Sequence, residues 1–235
     1  CIGRFHGWLA PDLRPYPAVQ EILDDTRVVR DGLGDLLLQS QMQDDRIAML
    51  YSYPSVFAHR VAEGAGYGDY ESAHLRVHQT LRNLGLQFRY VTDRMLRLGE
   101  FDASRFQVLI LCRAEAMSDR EAEVIRRFVE GGGTVIADVR PGLYDEHCKP
   151  RSRGVLDDLF GVGREGPAAA KAATLVIKDG AAAGGEFQKV LVDPSIKLAS
   201  RAAASHADAQ GTPGWIVHPS SKGRAVLMNF AAASY

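Results

Sequence analysis

No apolar stretch in this chain approaches the roughly 20 residues that a membrane-spanning helix needs, which argues against a membrane protein. Cysteine is scarce: Cys1, Cys112 and Cys148 make neither an even disulfide framework nor a metal-ligand spacing. No structural metal or cofactor is expected, and a reducing, cytoplasmic setting is the simpler expectation. Excess charge is missing too. The formal net charge is −1 over 235 residues, so no field favours nucleic acid or an anionic membrane. Internal repeats are absent. The chain begins at Cys1 rather than Met, and is expected to be processed, clipped or cut from something longer.

What is present is most legible between Gln107 and Gly142. Val108-Leu109-Ile110-Leu111 is a continuous apolar run, as in a strand covered on both faces. Ser118-Asp119-Arg120-Glu121 is a capping box, in which each end residue serves the other's backbone amide. Ala122, Ile125, Phe128 and Val129 follow at helical spacing. Gly131-Gly132-Gly133 is expected to end the helix, since glycine tolerates the left-handed C-cap conformation. Thr134-Val135-Ile136-Ala137 resumes the sheet. Upstream, Ile47–Tyr51 reads as a strand, Ser52–Ser55 as a loop and Tyr70–Asn83 as a helix. Phe88–Val91 reads as a strand and Met95–Phe106 as a connector.

Strand and helix therefore alternate over residues 46–139, which implies a mainly parallel α/β sheet, doubly wound in the flavodoxin-like manner. Residues 1–43 read as a leader and a linking helix from Pro17, weakened at Gly32 and Gly34. Residues 44–165 read as the α/β core. Residues 166–235 read as a β-rich extension of the same domain, with short runs at 174–177, 189–192, 215–218 and 225–229. Ser220–Gly223 is expected to turn a hairpin between the last two. Gly154–Phe160 reads as a short helix ending at Gly161.

The order of these pieces resembles the middle, trimerisation domain of family 42 glycoside hydrolases of the β-galactosidase type. That domain has a class I glutamine amidotransferase-like fold. The resemblance rests on Ile47–Ser52, Leu81-Arg82-Asn83-Leu84-Gly85, Phe106–Leu111, Ser118–Phe128, Gly132–Ile136, Arg140-Pro141-Gly142, Leu156–Val162 and Gly223–Leu227. It covers residues 17–230, and Trp8–Ile22 resembles that family's exit from its catalytic barrel. It implies a non-catalytic assembly role, a homo-oligomer (a trimer) and an upstream barrel against which Phe5, Trp8 and Tyr16 would be buried. The barrel's carboxylates have no counterpart here, so no glycosidase residue is carried over. Residues 54–72 and 166–213 do not align.

Two rival functions remain open. The first is an amidotransferase-like hydrolase using Cys112 or Cys148, with His147 as base. Cys112 ends a buried strand but lacks a small-residue elbow. Cys148 lies on a loop between His147 and Lys149, where adjacent side chains point apart. The second rival is a sugar-binding module built on strand-end loops, with Ser52, Asp93, Arg113, Asp138 and Arg140 as pocket candidates. Asp138, Arg140, Asp145 and Glu146 are expected on an exposed loop. Gly161-Val162-Gly163-Arg164-Glu165-Gly166 matches a dinucleotide fingerprint in letters only, since a helix precedes it and Pro167 follows. His74 and His78 stand four apart without the intervening Glu of a zinc helix, and a half-exposed helix face is expected. Arg126-Arg127 and the run Lys149, Arg151, Arg153 are expected to be solvated surface.

Overall fold

A computed structural model of the chain describes residues 8–41, 43–61 and 69–231. Cys1 and Phe5, on which expectations above rest, lie outside them. The chain divides into two compact units, Cys1–Gln43 and Asp44–Tyr235.

In the first unit, helix α1 (Pro17–Asp25) starts with Pro17 in the first turn, where a missing N–H costs nothing. A wide turn over Val29–Leu33 leads into α2 (Gly34–Gln39), and the backbone leaves helical angles at Gly32. No residue of these three segments is buried, although Ile22, Leu33, Leu36, Leu37 and Leu38 are large and apolar.

The second unit is built on strands β1 (Ile47–Tyr51), β2 (Phe88–Thr92), β3 (Val108–Leu111) and β4 (Thr134–Asp138). Short strands β5 (Val162–Gly163), β6 (Lys171–Ile177), β7 (Glu186–Val192), β8 (Lys197–Leu198), β9 (Ala204–Ser205), β10 (Ala207–Ala209) and β11 (Thr212–Pro213) follow. The last two are β12 (Trp215–Ser220) and β13 (Gly223–Met228). The main sheet runs β2-β1-β3-β4-β13-β12-β9. Its pairings are parallel from β2 through β13 and antiparallel beyond. β13, at the end of the chain, thus inserts beside β4 as a parallel strand. The hairpin joining it to β12 pairs Ser220 with Gly223, as the sequence suggests. A second sheet, β11-β10-β6-β7, closes over Leu175, Val190, Val192 and Phe230.

The apolar runs alternate between two cores because successive strand side chains face opposite ways. Ala48, Leu50, Leu109 and Leu111 join the larger core with Ile125, Phe128 and Val129 of α6 (Asp119–Glu130). Ile47, Met49, Ile110 and Cys112 join the opposite core with Ala73 and Leu81 of α4 (Tyr70–Asn83). The capping box is present: Glu121 N–H donates to Ser118 Oγ at 3.3 Å, and Ser118 N–H to Glu121 Oε2 at 2.6 Å.

Local expectations fail at three places. Ser52–Ser55 is not a loop: α3 (Tyr53–Val61) begins at once, because Ser52 Oγ accepts Ser55 N–H at 3.2 Å in the N-cap manner. The connector contains α5 (Asp93–Leu98), capped by Thr92. Gly154–Phe160 forms successive turns rather than a helix, and the Asp157 carboxylate accepts the Gly154 N–H at 2.7 Å. The triple glycine does end α6 as expected, with Gly132 left-handed (φ 107°) and Gly131 right-handed.

Candidate functional site

The carboxyl ends of β1, β3 and β4 lie side by side in the sheet, where α/β folds place their ligands. Ser52 follows β1. Its hydroxyl and that of Ser55 both donate to Ala116 O, at 3.2 and 3.1 Å, and the Ser52 N–H donates to Tyr70 Oη at 2.8 Å. Asp93 accepts Tyr53 N–H at 3.3 Å and pairs with Arg97 at 2.8 Å. Both pocket candidates are therefore occupied in starting α3 and holding it to its neighbours.

Cys112 follows β3 and is buried. Burial pushes its thiol well above the ordinary value, the Asp138 carboxylate adds to that, and Arg113 opposes it. Its carbonyl accepts from His74 Nε2 at 2.9 Å. His74 is thus buried rather than half-exposed, and burial lowers its pKa. The sharp backbone elbow after β3 falls one residue later, at Arg113 (φ 51°). A nucleophile on a strand-to-helix elbow gains exposure from that conformation; here Arg113 occupies it and the thiol points into the core of α4.

Arg113 and Asp138 are tied together. Arg113 N–H donates to Asp138 Oδ1 at 2.6 Å, and the guanidinium pairs with Glu115 at 2.8 Å and reaches His59 Nδ1 at 3.5 Å. Asp138 is buried, not on an exposed loop, and its second carboxylate oxygen has no hydrogen-bond partner among the described residues. Burial pushes its pKa up to about 6, against the pull of the Arg113 guanidinium and its amide hydrogen bond. The next residue, Val139, sits at φ 44°, a costly conformation for a β-branched side chain. Arg140 is buried as well. It faces Asp193 at 3.6 Å, and Arg164 bridges Asp157 at 3.0 Å and Asp193 at 3.5 Å. Arg164 also donates to Val139 O, and Asn229 holds both backbone groups of Asp193.

The five pocket candidates thus gather at one end of the sheet, Ser52 and Asp93 in the start of α3 and Arg113, Asp138 and Arg140 in two buried polar networks. The sequence reading missed Glu115, Asp157, Arg164, Asp193 and Asn229, which complete those networks. Arg164 and Asp193 are 29 residues apart, and no local pattern announces such a pair. Cys148 and His147 lie elsewhere, on the loop after β4. His147 is exposed, with its N–H on Asp145 Oδ1 at 2.9 Å. Cys148 Sγ donates to Pro54 O at 3.5 Å, and burial followed by Asp145 raises its pKa. Neither thiol has an imidazole as hydrogen-bond partner among the described residues. Among the same residues, no group of three or more His, Cys, Asp or Glu is placed to hold a metal ion.

Open volume lies beside this end. A cleft of about 1050 Å³ is bounded by α6, the loop 151–164 and Ala199-Ser200. Arg126 and Arg151 form its walls, so they are not simply solvated surface as the sequence suggests.

No protein-family model and no curated protein matches this chain. Solved structures do. The beta-galactosidase of Bacillus circulans sp. alkalophilus superposes with a TM-score of 0.77 at 18% identity, over 99% of this chain and 36% of its own. That of Rahnella sp. R3 gives 0.76 at 18%, over 97% and 34%. Gan42B, a GH42 beta-galactosidase from G. stearothermophilus, gives 0.72 at 19%, over 97% and 33%. An exo-beta-1,4-mannosidase from an Opitutaceae bacterium also matches, at 0.58 and 13%, over 97% and 37%. At such identities the likeness is one of fold. The chain spans about a third of the length of these enzymes, and its fold is the mixed α/β arrangement they contain.

Proposed function

We propose that this chain is a non-catalytic assembly domain of a β-galactosidase-like glycoside hydrolase, of the trimerisation type, with a flavodoxin-like, amidotransferase-related sheet. The observation that carries this reading is the fold likeness over nearly the whole chain to one third of each β-galactosidase. The chemistry of the sheet end agrees with it. Both thiols are shifted away from the reactive thiolate, and the strand-end charges are spent on one another. The first unit agrees as well: helices with no buried residue and a row of exposed Leu, Ile and Val side chains want a partner surface. In this reading the partners are a carbohydrate-cleaving barrel and further copies of the chain.

Light scattering behind size-exclusion chromatography tests it on this chain and on the full-length parent. Concentration-dependent association is expected. A parent that stays monomeric at every concentration sinks the assembly role. Hydrolysis of a nitrophenyl β-galactoside by this chain alone would refute the non-catalytic half.

A further inference from the structure

The cleft beside α6 is lined by four arginines and four carboxylates, yet its charges are not equivalent. Its cations are fixed. Arg126 donates to Val155 O, Arg151 to Met117 O at 3.3 Å, and Arg164 to Val139 O at 3.2 Å. The Arg126 and Arg151 side chains are only 27% and 24% exposed, and Arg164 is fully buried. Carbonyl partners orient the Arg126 and Arg151 guanidinium groups without cancelling their charge, whereas Arg164 is also paired with the buried Asp157 and Asp193. The carboxylates are different. Asp119 and Asp158, which pair with Arg151 and Arg126 at 2.8 and 2.9 Å, are 80% and 69% exposed, and Glu123 is 55% exposed. Such solvated partners hold their cations weakly and can swing away. Only Asp157, locked to Arg164, is a fixed anion of the cleft. The exposed Arg153 adds a further cation at the rim.

Among the described residues, two donors also lack partners. Arg151 Nε and Arg164 Nη2 are both buried and without a hydrogen-bond acceptor, and both residues line the cleft. Both atoms lie beneath the cleft surface, where an acceptor reaches them only once the side chain turns outward. Guanidinium forks match pairs of oxygens on tetrahedral oxyanions such as phosphate and sulfate. The cleft holds no aromatic lining residue on which an uncharged sugar ring could stack.

We infer that this cleft, lined by Arg126, Arg151, Arg153 and Arg164, is a binding site for an oxyanion ligand of the phosphate or sulfate-ester class. Asp119 and Asp158 act there as displaceable counter-ions. The site is independent of the assembly role and stands or falls separately from it.

Calorimetric titration of this chain with sodium pyrophosphate, at ionic strength held constant with sodium chloride, tests the inference. Saturable binding is expected. Arg126→Gln and Arg151→Gln should each weaken it about tenfold, the scale of one charge-assisted hydrogen bond. Asp119→Asn should tighten it, because the counter-ion no longer competes. Arg127→Gln, whose partner is Glu123 and which lies outside the cleft lining, should bind as the parent does. Absence of saturable binding at matched ionic strength overturns the site. So does equal loss of binding in Arg127→Gln, which would make the effect one of net charge, or weaker binding in Asp119→Asn. Thermal melts of each variant confirm that the compared proteins are folded.

Discussion

Asp138→Asn should make this protein more stable at neutral pH, against the usual expectation for a buried polar residue. The carboxyl group has a pKa near 6 in the folded chain, against 3.8 for the free side chain. The shift is upward, so the folded state holds its proton more tightly than the unfolded one. Below about pH 4 both states are protonated and no penalty exists. Between about pH 4 and pH 6 the unfolded chain has lost the proton while the fold keeps it, and stability falls as pH rises. Above pH 6 the penalty is constant. At roughly 1.4 kcal/mol per pH unit it comes to about 3 kcal/mol. Asparagine removes the charge and keeps the oxygen that accepts Arg113 N–H. Its amide N–H groups would stand where the unpartnered oxygen now lies, which costs about 1–2 kcal/mol back. The net gain expected at pH 7.5 is therefore about 1–2 kcal/mol. Urea denaturation of parent and variant at pH 4.5, 6 and 7.5 measures it. All other titrating groups are common to both proteins, so the difference isolates Asp138. A variant less stable than the parent at pH 7.5, or a difference that does not change with pH, refutes the reasoning.

Further outcomes follow from the same structure. Arg164→Met leaves Asp157 and Asp193 buried without their shared cation, and should cost about 3–5 kcal/mol in urea denaturation; a loss below 1 kcal/mol would mean that water already reaches these carboxylates. Gly223→Ala places a methyl group against the carbonyls of Val129 and Gly133, backbone that cannot give way. It should lower stability by about 1–3 kcal/mol and show as a lower melting temperature. Iodoacetamide at neutral pH should modify Cys148 more slowly than a free thiol and Cys112 only after unfolding, read peptide by peptide in a mass spectrometer; rapid labelling of Cys112 in the native protein would revive a nucleophilic role. Ser118→Ala removes the helix cap and should cost about 1 kcal/mol in the same denaturation assay.

The elements that local rules govern were readable from the chain alone. β1 and α4 begin and end where their apolar periodicity and flanking residues place them, and the Ser118 capping box forms as written. Gly32 breaks the leader helix because nothing local holds it helical. The parallel order around β1, β3 and β4 follows from alternating strands and helices. Where a side chain from elsewhere intervenes, the local reading fails. Ser52 looks like a loop residue until Ala116 and Tyr70 are seen to fix it. The candidate site shows the same division. Composition and spacing argued against a poised nucleophile and named Arg113, Asp138 and Arg140 as neighbours at strand ends. Only tertiary structure decided that these groups are buried in ion networks, and that Arg126, Arg151 and Arg164 come from separate segments to wall one cleft. The reason is range. Periodicity and capping act over three or four residues, whereas desolvation and ion pairing depend on segments that only the sheet brings together.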